Sequence, residues 1–93
     1  MLEKKIEEKI GKAVKAGGGL YYKFVSPGND GAPDRIAIFP GGRVIFIELK
    51  SETGRLTMKQ HVQIQRIASR GCEVRVIQGM EEAEKFIAEV TEA

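Results

Sequence analysis

The patterning of the chain predicts an α/β domain in the order α-β-β-β-α-β-α, with helices on both sides of a mixed sheet. Three observations carry this. Helix-period apolar spacing recurs in three stretches, four short runs rich in β-branched and aromatic residues lie among them, and glycine or proline clusters mark most of the junctions. No repeat and no linker interrupts the order, so residues 1–93 read as one domain. A chain of 93 residues buries only about two-thirds of its unfolded surface, and pairing with a copy of itself is a common source of further stability.

Composition excludes several classes. With 42% hydrophobic and 30% charged residues the chain is globular in type, not disordered. No apolar run approaches the ~20 residues that span a bilayer. Met1-Leu2-Glu3-Lys4-Lys5 leads into a charged helical pattern without a signal-peptide core. The single cysteine, Cys72, rules out an internal disulfide and a cysteine-based zinc cage. These features read as an intracellular, cytoplasmic protein with no membrane partner. A net charge of +2 is too small to name a nucleic-acid partner by itself. Its distribution is more telling, because Arg35, Arg43, Lys50, Arg55, Lys59, Arg66 and Arg70 gather around and after one central hairpin.

Residues 2–16 place Leu2, Ile6, Ile10, Ala13 and Val14 on one helical face and end at Gly17-Gly18-Gly19. The lysines of this helix, Lys4, Lys5, Lys9, Lys12 and Lys15, fit a solvated face. On a helical wheel Glu3 falls inside the apolar stripe, between Ile10 and Val14, and Glu7 lies at its edge. A carboxylate among core residues needs a partner, whereas one at the helix start can stay solvated and favour the helix dipole. Leu20 to Val25 forms a strand, and residues 26–33 form a loop dense in turn formers that ends in Pro33.

Arg35-Ile36-Ala37-Ile38-Phe39 and Arg43-Val44-Ile45-Phe46-Ile47 flank Pro40-Gly41-Gly42, a hairpin with a three-residue loop. Phe39 then faces Arg43, and Asp34 lands directly opposite Glu48. Facing residues have Cβ atoms ~5 Å apart, and Lys50 follows on the same face roughly 7 Å along. A surface hairpin with an ordinary Glu/Lys pair would also show this spacing. Two adjacent carboxylates repel, and one tends to keep its proton unless a cation is present. Hard cations such as Mg²⁺ favour such oxygens.

Residues 51–55 form a polar connection, and a helix runs from near Thr57 to about Arg70 with Ile64, Ile67 and Ala68 on its buried face. Thr57-Met58-Lys59-Gln60 fits a capping box. Gln60 also lies on the apolar face, from which it could orient Lys50 or a phosphate; the two roles are compatible. His61 reads as an ordinary helix-surface residue. Glu73 to Ile77 is a last strand, Gln78-Gly79 turns, and Met80, Ala83, Phe86, Ile87 and Val90 mark a final amphipathic helix.

Three runs carry a family resemblance. They are Gly31-Ala32-Pro33-Asp34-Arg35, Gly41 to Lys50 with its Glu48-Leu49-Lys50 end, and Leu56-Thr57-Met58-Lys59-Gln60. In this order and spacing, with the opening Glu3-Lys4-Lys5-Ile6-Glu7 and the glycine turn leading to Lys23, they resemble the VRR-NUC (virus-type replication–repair nuclease) branch of the PD-(D/E)XK nuclease superfamily. The resemblance implies an αβββαβ restriction-endonuclease-like core and Mg²⁺- or Mn²⁺-dependent phosphodiester cleavage. It implies Asp34, Glu48 and the Leu49 backbone carbonyl as metal ligands, with Glu3 the best match for a helix glutamate and Glu7 the fallback. Lys50 would position or activate the attacking water, and Gln60 matches the family's glutamine. Lys23, Arg35, Arg55 and Lys59 would hold the DNA backbone. Stand-alone members, mainly phage-encoded, resemble Holliday junction resolvases and pair as homodimers, so branched DNA with a four-way junction is the implied substrate. A flap- or end-processing nuclease, and a non-catalytic DNA-binding module, are the alternatives. No aromatic-rich stacking platform is apparent, which favours recognition of duplex shape over single strands.

Overall fold

The computed structural model describes residues 2–91, apart from the side chain of Leu2, so the expected apolar role of Leu2 lies outside the described side chains. The elements are α1 (Leu2–Ala16), β1 (Leu20–Lys23), β2 (Arg35–Ile38), β3 (Val44–Lys50), α2 (Met58–Ala68), β4 (Glu73–Gln78) and α3 (Gly79–Thr91). This is the implied αβββαβ core with α3 following it. One four-stranded sheet runs β1-β2-β3-β4; the first three strands are antiparallel, and β4 lies parallel to β3. A parallel pair needs a crossover connection, and α2 supplies it.

Strand alternation divides the sheet into two unlike faces. Ile45, Ile47 and Leu49 of β3 turn to one side and are buried there with Ala37 and Ile77. Ile6, Ile10 and Val14 of α1 and Ala83 and Phe86 of α3 close this core. Each fully buried side chain of this kind stabilises the fold by about 1.5–3 kcal/mol. The opposite face carries Phe46, Glu48 and Lys50 and is covered by α2, which has no fully buried residue. Ala68, expected on the buried side of α2, is exposed. A single helix over a four-stranded sheet leaves its outer turns in water.

The hairpin has the register expected from its loop. Gly42 N–H donates to the Phe39 carbonyl at 3.0 Å and Phe39 N–H to the Arg43 carbonyl at 2.8 Å, closing the Pro40-Gly41-Gly42 turn. Pairing then runs from Ile38 with Val44 to Arg35 with Ile47, so the next facing positions are Asp34 and Glu48. Two boundaries differ from expectation. β1 stops at Lys23, although Phe24 N–H still bonds the Asp34 carbonyl at 2.8 Å, and Val25 beyond it is 67% exposed. Gln78, expected in a turn, is the last residue of β4 and pairs with Lys50. The turn falls to Gly79 alone, at φ 83°.

Two glycines permit close approaches that fix the architecture. A Cβ on Gly11, inside α1, would sit 3.0 Å from the ring of Tyr21, so that ring lies directly on the helix. Gly31 has φ 90°, and a Cβ there would lie 2.5 Å from the Lys59 carbonyl carbon and 2.7 Å from the Gln60 amide nitrogen. The loop before Asp34 is thereby pressed against the start of α2. Gly31→Ala combines a left-handed backbone with a clash against backbone, and we expect a loss of about 2–4 kcal/mol in urea unfolding. A loss under about 0.5 kcal/mol, the scale of a neutral surface change, would mean that the loop does not press on α2.

Candidate active site

Asp34 is held by its backbone. Pro33 before it is fully buried, the Asp34 carbonyl accepts from Phe24 N–H, and the Arg35 guanidinium donates to the same oxygen at 3.0 Å. Across the hairpin end, Glu48 is only 1% exposed. Its Oε2 accepts a hydrogen bond from Gln60 Nε2 at 3.1 Å, and Lys50 Nζ stands 3.8 Å from the same oxygen. Its other oxygen, Oε1, is buried without a hydrogen-bond partner. Burial pushes the Glu48 carboxyl up to about 7, and the negative charge of Asp34 adds to the rise while Lys50 opposes it. The charge of Glu3 raises it further. The sequence-predicted trio of Asp34, Glu48 and Lys50 therefore meets at the hairpin end.

Gln60 takes the capping role, and its second contact goes to Glu48, not to Lys50. Thr57 Oγ1 accepts from Gln60 N–H at 3.2 Å, and the Gln60 side-chain oxygen accepts from Thr57 N–H at 2.9 Å, completing a capping box. Its amide nitrogen remains free to donate to Glu48. Folding back on the helix start is what aims that nitrogen at the carboxylate. Lys50 is fixed from the other side. Its strand neighbour Gln78 donates to the carbonyls of Glu52 and Gly54 in the following loop. The Glu52 carboxylate accepts from Met80 N–H at 3.1 Å, a bond that lowers the pKa of Glu52.

Glu3 and Glu7 part company. Glu7 is half-buried and ion-paired with the Arg35 guanidinium. Glu3, placed by the wheel inside the apolar stripe, is exposed. Both line a cleft of about 390 Å³ with Lys4, Lys23, Asp34, Arg35 and Leu49. The wheel treats the first turn as covered, whereas it overhangs the cleft. Of the residues expected to hold DNA, Lys23 is exposed at this cleft, and Arg55 is exposed in an adjoining hollow that Lys50 also lines. Lys59 is exposed and lies 3.2 Å from the Asp30 carboxylate. Arg35 is directed inward, to Glu7 and the Asp34 carbonyl. His61, read as a surface residue, is exposed.

The donor set fits a hard divalent cation. No three side chains among His, Cys, Asp and Glu converge among the described residues. Mg²⁺ does not require that, since it is usually held by one or two carboxylates with waters and substrate phosphates. The unpartnered Oε1 of Glu48 beside Asp34 is the oxygen such an ion would satisfy, and Leu49 and Glu3 border the same cleft.

Sequence reasoning passed over Tyr21. Its hydroxyl is buried without a partner, and burial together with the charge of Asp34 pushes its pKa well above the usual range. The available signal was its position opposite Ala37 in the sheet, where a small neighbour leaves room for the ring.

Comparisons with known proteins agree on the family. The VRR-NUC domain matches residues 4–81, a span that takes in Asp34, Glu48, Lys50 and Gln60. "Putative nuclease p44" of Acyrthosiphon pisum secondary endosymbiont phage 1 is 39% identical over 75 residues, covering 81% of each chain. A solved structure described as a VRR_NUC domain aligns with a TM-score of 0.87 at 29% identity, covering 95% of this chain and 96% of that one. The chain belongs to the VRR-NUC domain family.

Proposed function

We propose that this chain is a divalent-metal-dependent endonuclease that hydrolyses phosphodiester bonds in branched DNA. The observation that carries the reading is the buried, partly orphaned Glu48 carboxyl set against Asp34 with Lys50 beside it. A purely structural hairpin gains nothing from that repulsion. Asp34, Glu48 and the Leu49 carbonyl, with Glu3 at the cleft edge, would hold Mg²⁺ or Mn²⁺. Such an ion lowers the pKa of a bound water and offsets charge growing on a phosphate.

The chain's own residues supply the rest. Lys50 lies where its ammonium can orient the attacking water and neutralise a non-bridging phosphate oxygen. Gln60 is a positioning residue: it fixes the Glu48 carboxylate so that Oε1 points away from α2. Glu7 holds Arg35 and so steadies the strand that carries Asp34. Lys23, Arg55 and Lys59 ring the site as exposed cations for the phosphate backbone, giving largely sequence-independent, salt-dependent affinity.

Pairing with a second copy belongs to the same proposal. Leu20, Tyr22 and Val44 are 47%, 52% and 37% exposed on the α2-side face, and Leu20, Ile38 and Val44 are neighbours across three strands. Burying such a strip in a two-fold interface would place two sites on one assembly, matched to a roughly two-fold four-way junction.

Labelled four-way junction, 5′-flap and linear duplex DNA, incubated with Mg²⁺, Mn²⁺ or EDTA, test the reaction. Expected are metal-dependent, symmetric cuts in the junction, abolished by Asp34→Ala and lowered about 10²–10⁴-fold by Lys50→Ala. Gln60→Ala is expected to lose about 10–100-fold, as for residues that orient metal ligands. Cuts confined to flaps would replace the junction reading with an end-processing one, and tight binding without any cleavage would favour a non-catalytic module.

The second expectation concerns pH. Folded Glu48 holds its proton up to about 7, against 4.5 for an ordinary glutamate. The folded state therefore binds more protons across that window, and its stability falls as pH rises through it. Metal-free protein is expected to lose on the order of 1–3 kcal/mol between pH 4.5 and 8 from this group, and Glu48→Gln should flatten the profile. Glu73 and Glu89, whose pKa values are lowered by hydrogen bonds from Arg43 and Arg75 respectively, act below that window. Millimolar Mg²⁺ should raise the melting temperature at pH 8 far more than at pH 5, with no rise in Asp34→Ala. An equal rise in that variant would remove the divalent site.

Light scattering checks assembly. Twice the chain mass is expected for wild type, and Tyr22→Lys should shift it toward one chain. A wild-type monomer at micromolar concentration would end the paired-site reading.

A further inference from the structure

Between α2 and the sheet lies a second cavity, of about 350 Å³, that the proposed chemistry does not use. Its size is within the ~300–1,000 Å³ typical of ligand pockets. The floor is aromatic. Phe24 and Phe46 meet edge to face with ring centroids 5.4 Å apart, and Ile67 of α2 closes one side. The rim is polar and cationic, formed by Gln63 and Arg66 of α2 and by Arg70 in the turn that follows it. Neither arginine has a carboxylate partner among the described residues. Arg70 Nη1 donates to the Arg66 carbonyl and to Ser69 Oγ, both at 3.1 Å, which leaves its other donors for a ligand.

The cavity also has a defined relation to the acids. Phe46 and Glu48 share one face of β3 two residues apart, so the floor begins roughly 7 Å from the catalytic carboxylate. That is a reach of one or two nucleotides along a strand that rises ~3.4 Å per step in duplex form. An aromatic floor with cations at the mouth suits a flat, π-faced group bonded to an anion, which is the chemistry of a nucleotide.

We propose that this cavity takes one unpaired base of the DNA, stacked on the ring of Phe24 with Phe46 against its edge, while Arg66 and Arg70 hold a flanking phosphate. The inference rests on the reading of the chain as a DNA nuclease and adds a selection rule to it. Fully paired duplex can fill the cavity only by breaking a pair, whereas a base freed at a bulge, flap or branch point enters without that penalty. Branched DNA is then preferred partly because it offers such a base next to the bond that is cut.

Binding is measured by fluorescence anisotropy with Ca²⁺ in place of Mg²⁺, on three otherwise identical duplexes. One is fully paired, one carries a single unpaired thymine, and one carries an abasic unit at that position. The last two share backbone and shape, so their difference reports the base alone. Wild type is expected to bind the thymine duplex roughly ten-fold more tightly than the abasic one, the scale of one base–aromatic stack. Phe24→Leu, which keeps an apolar side chain of similar bulk, should bring that ratio close to one. The double variant Arg66→Gln/Arg70→Gln should weaken both and lower the salt dependence. Equal wild-type binding of thymine and abasic duplexes overturns the subsite alone. A preference that survives Phe24→Leu removes it from this cavity. No binding to any duplex overturns the DNA reading and the subsite with it.

Discussion

The buried carboxyl of Glu48 is the constraint on which the other parts of the site depend. Placing a carboxylate between Ile47 and Leu49 in a closed strand is expensive unless the charge is matched. The protein matches it only partly. Gln60 satisfies one oxygen, Lys50 stands close but beyond hydrogen-bond distance, and Asp34 makes matters worse. What is left is a group that keeps its proton near neutrality and an oxygen with no partner. A fold selected only for stability would replace Glu48 with an apolar residue. Its presence concentrates an unfavourable energy at one point, which a hard cation is suited to relieve.

The rest of the molecule divides accordingly. The α1/α3 side of the sheet is dry, with Ile6, Ile10, Ile45 and Ile47 fully enclosed, and it can supply the stability that the site gives up. The α2 side is more open, and around the acids its geometry rests on hydrogen bonds and close backbone approaches. Gly31 lets the loop before Asp34 meet the first turn of α2, and that same turn carries Gln60. The loop, helix cap and carboxylate are thus one connected unit. Gln78 and Glu52 do the same for the segment after Lys50, tying it to the start of α3.

The local rules of the chain were enough to read the hairpin. A three-residue turn fixes register, and register fixes which residues face each other, so Asp34 and Glu48 could be paired without coordinates. Capping-box spacing likewise exposed Gln60. The features that escaped depend on partners distant in sequence. Glu3 and Glu7 are one turn apart, and what separates them is Arg35, reaching back from β2 to take Glu7. Phe24 and Phe46 are unremarkable in their own segments and form an aromatic floor only because three strands align. Ala68 has the spacing of a buried residue, but no second layer exists to bury it.

The same long-range pairing decides which cations remain available. Arg43 and Arg75 are bound to Glu73 and Glu89 at the far end of the sheet, a cluster that cancels its own field. Exposed pairs of this kind add little stability, so their larger effect is on where positive potential survives. Lys23, Arg55, Arg66 and Arg70 have no carboxylate partner among the described residues; Lys23 lines the cleft, Arg66 and Arg70 line the aromatic cavity, and Arg55 lines the hollow beside Lys50. A polyanion interacts with local potential over a Debye length of about 8–10 Å, not with the charge of the whole chain. A protein whose net charge is only +2 can therefore present local cationic patches. In the proposed reaction, these patches would offset the repulsion between the acids and a phosphate and so help to admit and orient the substrate.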